Sequence, residues 1–196
     1  MNHDGYGDVL IGAPGYDNGE VDEGRVYLYH GSASGLTSLP VWSYESNQAS
    51  AELGSSVAGG GDVNGDTWAD IVIGARLFDN GQTDEGGVML LPGSASGPAV
   101  TPLWMIEGDQ AGAQMGSAVA VASDLNGDGL ADILAGASGY DNVEANEGRV
   151  FVYLGAPSGI LAGAARTIEP NQAGAAMGSS VAGQGDLNTD GLSDIL

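Results

Sequence analysis

Three nine-residue segments, DVNGDTWAD (62–70), DLNGDGLAD (124–132) and DLNTDGLSD (186–194), carry oxygen-bearing side chains at their first, third, fifth and ninth positions. The seventh position can offer only its backbone carbonyl. Ca2+ is a hard cation that takes about six to eight oxygens in flexible geometry, so alternate residues of a tightly curled loop can converge on it. The expected ligands are Asp62, Asn64, Asp66, the Trp68 carbonyl and Asp70 in the first segment. In the second they are Asp124, Asn126, Asp128, the Leu130 carbonyl and Asp132. In the third they are Asp186, Asn188, Asp190, the Leu192 carbonyl and Asp194. An incomplete copy at the start of the chain keeps Asn2, Asp4, the Tyr6 carbonyl and Asp8. Three carboxylates exceed the ion's charge, which suits Ca2+ better than Mg2+ with its water-rich octahedra. Asn, Asp and Gly also build turns without metal. Turn chemistry alone, however, gives no reason to set three like charges facing one another in every copy.

The loops differ from an EF-hand, which closes on a Glu at its twelfth position, where this chain has Ile73 and Ala135, and which continues into a helix. Closure at the ninth position, straight into a strand, also separates them from dockerin-type loops. At the sixth position Thr67 replaces the Gly of Gly129 and Gly191. A β-branched residue tolerates a positive φ poorly, so the 62–70 loop is expected to bind most weakly of the three.

The loops recur because the whole chain does. Asp8, Asp70, Asp132 and Asp194 are spaced by 62 residues, and no insertion breaks the register. The same spacing aligns Gly12, Gly74 and Gly136; Glu23, Glu85 and Glu147; Gln48, Gln110 and Gln172; and Gly54, Gly116 and Gly178. The approximate repeats are 1–62, 63–124 and 125–186, with 187–196 duplicating 1–10. In the middle copy four short apolar runs, GSSVA (54–58), DIVIGA (70–75), GVMLLP (87–92) and PLWMIEG (102–108), lie between Gly, Asp, Asn and Pro clusters. DIVIGA is apolar without alternation, as a strand covered on both faces should be. The predicted class is therefore all-β: four-stranded antiparallel blades of a β-propeller, about three per chain.

Composition narrows the chemistry further. There are 26 acids against 4 Lys and Arg, a formal net charge of −22, and bound cations would relieve the resulting self-repulsion. Nucleic acid and anionic membranes need the opposite sign of surface. No apolar run approaches the roughly 20 residues of a membrane-spanning helix, so no membrane insertion is expected. The absence of cysteine removes thiolate metal sites and nucleophiles. The opening MNHDGYGD has neither a basic n-region nor an apolar h-region, so an export signal is expected to lie outside this sequence. No enzyme constellation of nucleophile and base, or of paired acids, recurs along the chain. His3 lies in the N-terminal loop, and His30 shares its column with Pro92 and Leu154.

With strands, loops and period in place, the chain resembles the FG-GAP repeats of integrin-α propellers and of bacterial surface proteins. The FG-like pairs are Leu53-Gly54, Met115-Gly116 and Met177-Gly178, with an aliphatic residue for Phe. The GAP element is intact at Gly12-Ala13-Pro14 and reads Gly-Ala-Arg at 74–76 and Gly-Ala-Ser at 136–138. The resemblance implies a Ca2+-stabilised propeller, extracellular or on the cell surface, that binds proteins or glycans in adhesion. The alternatives are a purely structural propeller fragment without its own ligand and, less favoured, a lyase or hydrolase propeller. Three blades cannot close a ring, so oligomerisation is expected to complete it. A homodimer would give six blades, with the strand DVLIGA of one copy joining the GSSVA segment (178–182) of the other.

In a meander the Ca2+ loops and the GSASG turns share one end of each blade, and the YDN-type loops collect at the other. There Tyr16 and Asp17, Phe78 and Asp79, and Tyr140 and Asp141 are candidate contacts for a glycan or a basic protein segment. The blander reading is that they are solvated loops. Trp42 and Trp104 are read as blade packing rather than as a sugar platform.

Overall fold

The apolar runs become short antiparallel strands in a computed structural model that describes residues 1–183 and 185–196. Strands β1 (Val9–Ala13), β2 (Arg25–Tyr29) and β3 (Trp42–Glu45) form a three-stranded sheet in that order. β4 (Leu53–Gly59), β5 (Ile71–Ala75), β6 (Gly87–Leu91) and β7 (Trp104–Glu107) form a four-stranded meander. β8 (Met115–Ala122), β9 (Asp132–Ala137), β10 (Arg149–Tyr153) and β13 (Arg166–Ile168) repeat that meander. A small hairpin of β11 (Gly155–Ala156) and β12 (Gly159–Ile160) fills the loop before β13 and was not foreseen from the sequence. Each of the three larger sheets is one blade. Blades start at Leu53 and Met115, so the structural unit is offset from the repeat counted from residue 1.

The cores lie between the sheets rather than within them. Ile71 and Ile73 pack towards the first blade with Val26, Leu53, Met89 and Leu91. Val72, Val88 and Leu90 pack towards the third with Val119, Val121, Ile133 and Tyr153. A strand between two such cores is buried at every residue, as β5 is, which accounts for its unbroken apolar run. Trp42 and Trp104 pack against these two cores as partly buried rings.

The signature glycines mark the seams between blades. A Cβ at Gly74 would stand 2.1 Å from the carbonyl oxygen of Gly116 in the next blade, and the pairs Gly12–Gly54 and Gly136–Gly178 are as close, at 2.0 and 1.9 Å. The FG glycines also hold φ values of 83°, 85° and 86°. Only a residue without Cβ meets both demands. Isolated parallel bridges, Gly24 to Leu53, Gly86 to Met115 and Gly148 to Met177, join the seams at the same level.

A glutamine clasps each inner seam. The Gln48 amide donates to the Asp79 carbonyl (2.7 Å) and accepts from the Asp79 N–H (2.8 Å). Gln110 repeats both bonds with Asp141, at 2.7 and 2.6 Å. Beyond the third blade, Ala182 and Leu196 exchange two backbone hydrogen bonds of 2.8 Å, in the register of Ala120 and Leu134 one period earlier.

Candidate metal loops and the opposite loop face

Each acidic loop is curled by its own first aspartate. Asp62 Oδ1 accepts from the N–H groups of Gly65 (2.7 Å) and Asp66 (3.1 Å), and Oδ2 accepts from Thr67 (2.7 Å). Asp124 does the same with Asn126, Gly127, Asp128 and Gly129. Asp186 accepts from Asp190 and Gly191. The third and fifth residues follow suit: Asn64 Oδ1 takes the Asp66 N–H and Asp66 Oδ1 the Trp68 N–H, both at 2.8 Å. Asn126 with Asp128, and Asn188 with Asp190, repeat this geometry. The turn needs a left-handed residue at its sixth position, where Thr67 holds φ 75° against 87° and 90° for Gly129 and Gly191. The third loop places a second threonine in that region, Thr189 at φ 63°, where Gly65 and Gly127 stand in the other loops. The sequence reading had singled out only Thr67.

The ninth aspartate ties the loop to the strands. Asp70 is fully buried; its Oδ2 accepts from Val63 N–H and its Oδ1 from Gly93 N–H, both at 2.9 Å, so it holds the loop entry and the GSASG turn together. Asp132 does so with Leu125 (2.8 Å) and Gly155 (2.9 Å). Burial pushes the Asp70 carboxyl up to about 6, and the charges of Asp66 and Asp62 add to the rise against the two N–H groups that oppose it. Asp132 is raised by burial, then by Asp128 and Asp124. At Asp124 burial is the largest single influence and pushes upward, yet four backbone N–H groups together hold the carboxyl below its usual range. In the incomplete first copy, Asp8 Oδ1 accepts from Gly31 N–H (3.0 Å) and Oδ2 pairs with the Met1 ammonium at 2.8 Å, while Asn2, Asp4 and Tyr6 keep the turn bonds. In the last copy Asp194 Oδ2 accepts from Leu187 N–H (2.6 Å).

Successive loops touch. The Ala131 N–H donates to the Asp62 carbonyl (2.9 Å) and the Ser193 N–H to that of Asp124 (3.1 Å). The Trp68 ring stacks on His3 at 4.2 Å. Each loop is thus an all-oxygen set of three carboxylates, an amide and a carbonyl with spare lone pairs, a donor chemistry suited to a hard divalent cation.

The opposite loops are internally braced. Asp17, Asp79 and Asp141 each use Oδ1 to accept a backbone N–H five residues on, from Asp22, Asp84 and Asn146. The Tyr16 hydroxyl accepts from Arg25, and Arg149 lies 4.0 Å over the Tyr140 ring. Phe78 lies at the edge of the core between the first two blades. The repeated glutamates Glu23, Glu85 and Glu147 lie here too, fully buried. Sequence reasoning recorded their column but gave it no role. Among the described residues, the set of three acids that brings one oxygen each within 4.8 Å is Glu85, Glu107 and Asp109 at this end. The loop carboxylates are turned towards their own N–H groups instead.

Sheets stacked through glycine seams, with an acidic hairpin loop on each, define propeller-type blades. The FG-GAP repeat family matches residues 1–29, 53–91 and 115–153, more than half of the chain, and the last two segments each run from the first to the third strand of a blade. The chain belongs to the FG-GAP repeat family. It is 33% identical to integrin alpha-5 of Xenopus laevis over 180 residues, covering 87% of this chain and 16% of that protein. It is 32% identical to integrin alpha-V of Gallus gallus over 202 residues, 98% of this chain and 18% of that one. Phosphatidylinositol-glycan-specific phospholipase D of Bos taurus is 34% identical over 146 residues, 69% of this chain and 17% of the enzyme. The chain therefore spans less than a fifth of the length of these relatives.

Proposed function

We propose that the chain is a Ca2+-binding propeller segment that acts outside the cell by binding protein or glycan, without catalysis of its own. One observation carries this reading: three loops repeat the same curl and present three carboxylates each, and in the first two the ninth aspartate, Asp70 or Asp132, is buried and raised, by burial first and then by its neighbours' charge. A divalent cation held by Asp124, Asn126, Asp128, the Leu130 carbonyl and Asp132 would remove that repulsion and supply rigidity to the blade end. The protein groups already do the positioning, because backbone N–H donors hold both oxygens of Asp124 and Asp132 and one oxygen of Asp128.

Calorimetric titration with Ca2+ tests this directly. Three loop sites are expected in the intact chain and one fewer in Asp128→Asn, with thermal stability falling on chelation; indifference to both chelator and mutation would contradict the reading. The binding role is tested on an array of glycans and matrix proteins with and without chelator. No capture at all would favour a structural segment, and capture that ignores chelation would contradict the dependence of binding on Ca2+.

Two copies would complete six blades, and this proposal rests on the uncovered flanks. Ile11 on β1 is 46% exposed, and at the other end Val152, Leu154, Ile168 and Ile195 line an open hollow. Light scattering that finds only a calcium-loaded monomer would contradict it.

A further inference from the structure

The loop-distal end of the second blade differs from its neighbours in a way that concerns charge. In the first and third blades the same repeat columns hold a buried glutamate (Glu23, Glu147), a strand-end glutamate (Glu45, Glu169) and an asparagine (Asn47, Asn171). An arginine completes both sets. Arg25 Nε lies 3.7 Å from Glu45 and its guanidinium 5.0 Å over the Tyr16 ring; Arg149 pairs with Glu169 and covers Tyr140. Each set carries a formal charge of −1.

The second blade keeps the two glutamates, Glu85 and Glu107, but Asp109 replaces the asparagine and Gly87 replaces the arginine. Its formal charge is −3. The difference between the blades is the charge of one divalent ion. Glu85 is fully buried; its Oε1 accepts from the N–H groups of Asn80 (2.6 Å) and Gln82 (3.3 Å), while its Oε2 has no hydrogen-bond partner among the described residues, as holds also for both Glu23 oxygens and for Glu147 Oε2, so that what sets the second blade apart is the added carboxylate and the missing arginine. Glu107 is held by Asn80 Nδ2, at 2.8 and 2.9 Å from its two oxygens. Asp109 closes the set at the surface, and each residue offers an oxygen within 4.8 Å of the other two. Two oxygens bound to one Ca2+ at about 2.3–2.6 Å stand up to about 5 Å apart, whereas Mg2+ at about 2.1 Å requires a tighter set. A buried carboxylate oxygen without a donor is costly unless a cation meets it.

We infer that Glu85, Glu107 and Asp109 form a separate Ca2+ site, unique to the second blade and at the opposite end from the acidic loops, where a metal ion takes the place that an arginine fills in the other blades. The buried Glu85 anchors the ion and Asp109 admits it from solvent. The inference does not rest on the loops. Extracellular calcium modules work at about 0.1–1 mM, so the site belongs to that range.

The test is the number of Ca2+ ions bound by the full chain, counted by native mass spectrometry and by equilibrium dialysis at about 5 mM free Ca2+. Gly87→Arg copies the sister blades: a Cβ at Gly87 meets only the Met105 methyl at 3.3 Å and, at 3.5 Å, Phe78 and the Ile106 carbonyl, so the substitution is accommodated. It is expected to bind one ion fewer than the unmodified chain. Asp109→Asn, which restores the residue of the other blades, is expected to weaken the same ion at least tenfold. The triple variant Asp66→Asn, Asp128→Asn, Asp190→Asn should lose the loop ions and keep this one, which separates the two readings. An unchanged ion count in both Gly87→Arg and Asp109→Asn overturns the inference.

Discussion

β1 and β5 read almost alike, VLIGA and IVIGA, yet every residue of β5 is buried and none of β1 is. Ile73 is fully buried, whereas Ile11, at the same place in the repeat, is 46% exposed. The difference is the neighbour. β5 has a blade on each face, while β1 has one only on the side of Leu10, which packs into the core shared with the second blade. In a stacked array a residue's contribution is therefore set by the blades that flank it as much as by its own type.

The largest expected effect tests this claim at its centre. Ile73→Ala should destabilise by about 2–5 kcal/mol in urea titration, since it leaves a cavity between two sheets, whereas Ile11→Ala should cost less than about 1 kcal/mol. Equal losses would mean that the outer flank is covered in solution, as the proposed dimer requires. Next in size are the clasps. Gln110→Ala breaks two hydrogen bonds to the following blade and should cost about 1–3 kcal/mol, whereas Gln172→Ala, on an exposed residue of the third blade, should change stability by less than about 0.5 kcal/mol.

The pH response should sharpen the contrast within the loops. Asp70 has a folded pKa of about 6, above the 3.8 of a free aspartate, so the folded chain holds its proton more tightly than the unfolded chain does. In chelator, stability should therefore fall as pH rises from about 4 through 6, and Asp70→Asn should flatten that slope. With Ca2+ present the fall should vanish or reverse, because the cation prefers the ionised carboxylate. The smallest effect belongs to the strained threonines. Thr67→Gly and Thr189→Gly each relieve a β-branched residue at positive φ and should stabilise the chain by up to about 1 kcal/mol, read as a rise in melting temperature.

Much of this was legible in the sequence because repetition amplifies weak signals. One DxNxDG segment is a turn; copies that keep a ninth aspartate 62 residues apart point to a strand boundary and a shared chemistry. Four strands per blade, with the second covered on both faces, follow from the same columns. The Gln48 and Gln110 clasps were visible as a column but not as a contact, since their partners are backbone groups of a loop 31 residues away and leave no side-chain signature. The acidic set at Glu85, Glu107 and Asp109 escaped for the opposite reason. It arises where two columns break, at Gly87 and Asp109, and a search for what recurs passes over what departs. The informative signal was the simultaneous loss of an arginine and gain of an acid within one blade.

The glycine seams have a consequence for how such a molecule can grow. Each period carries both halves of a seam, the FG glycine that presents its carbonyl backward and the GAP glycine that receives the next one, together with a clasping glutamine and its target loop. Duplicating any 62-residue stretch in register, wherever the cut falls, regenerates complete seams on both sides and leaves no junction to be invented. Lengthening the array is thus a single genetic step with a ready-made interface. Novelty is left free to accumulate in individual blades, as it has in the second.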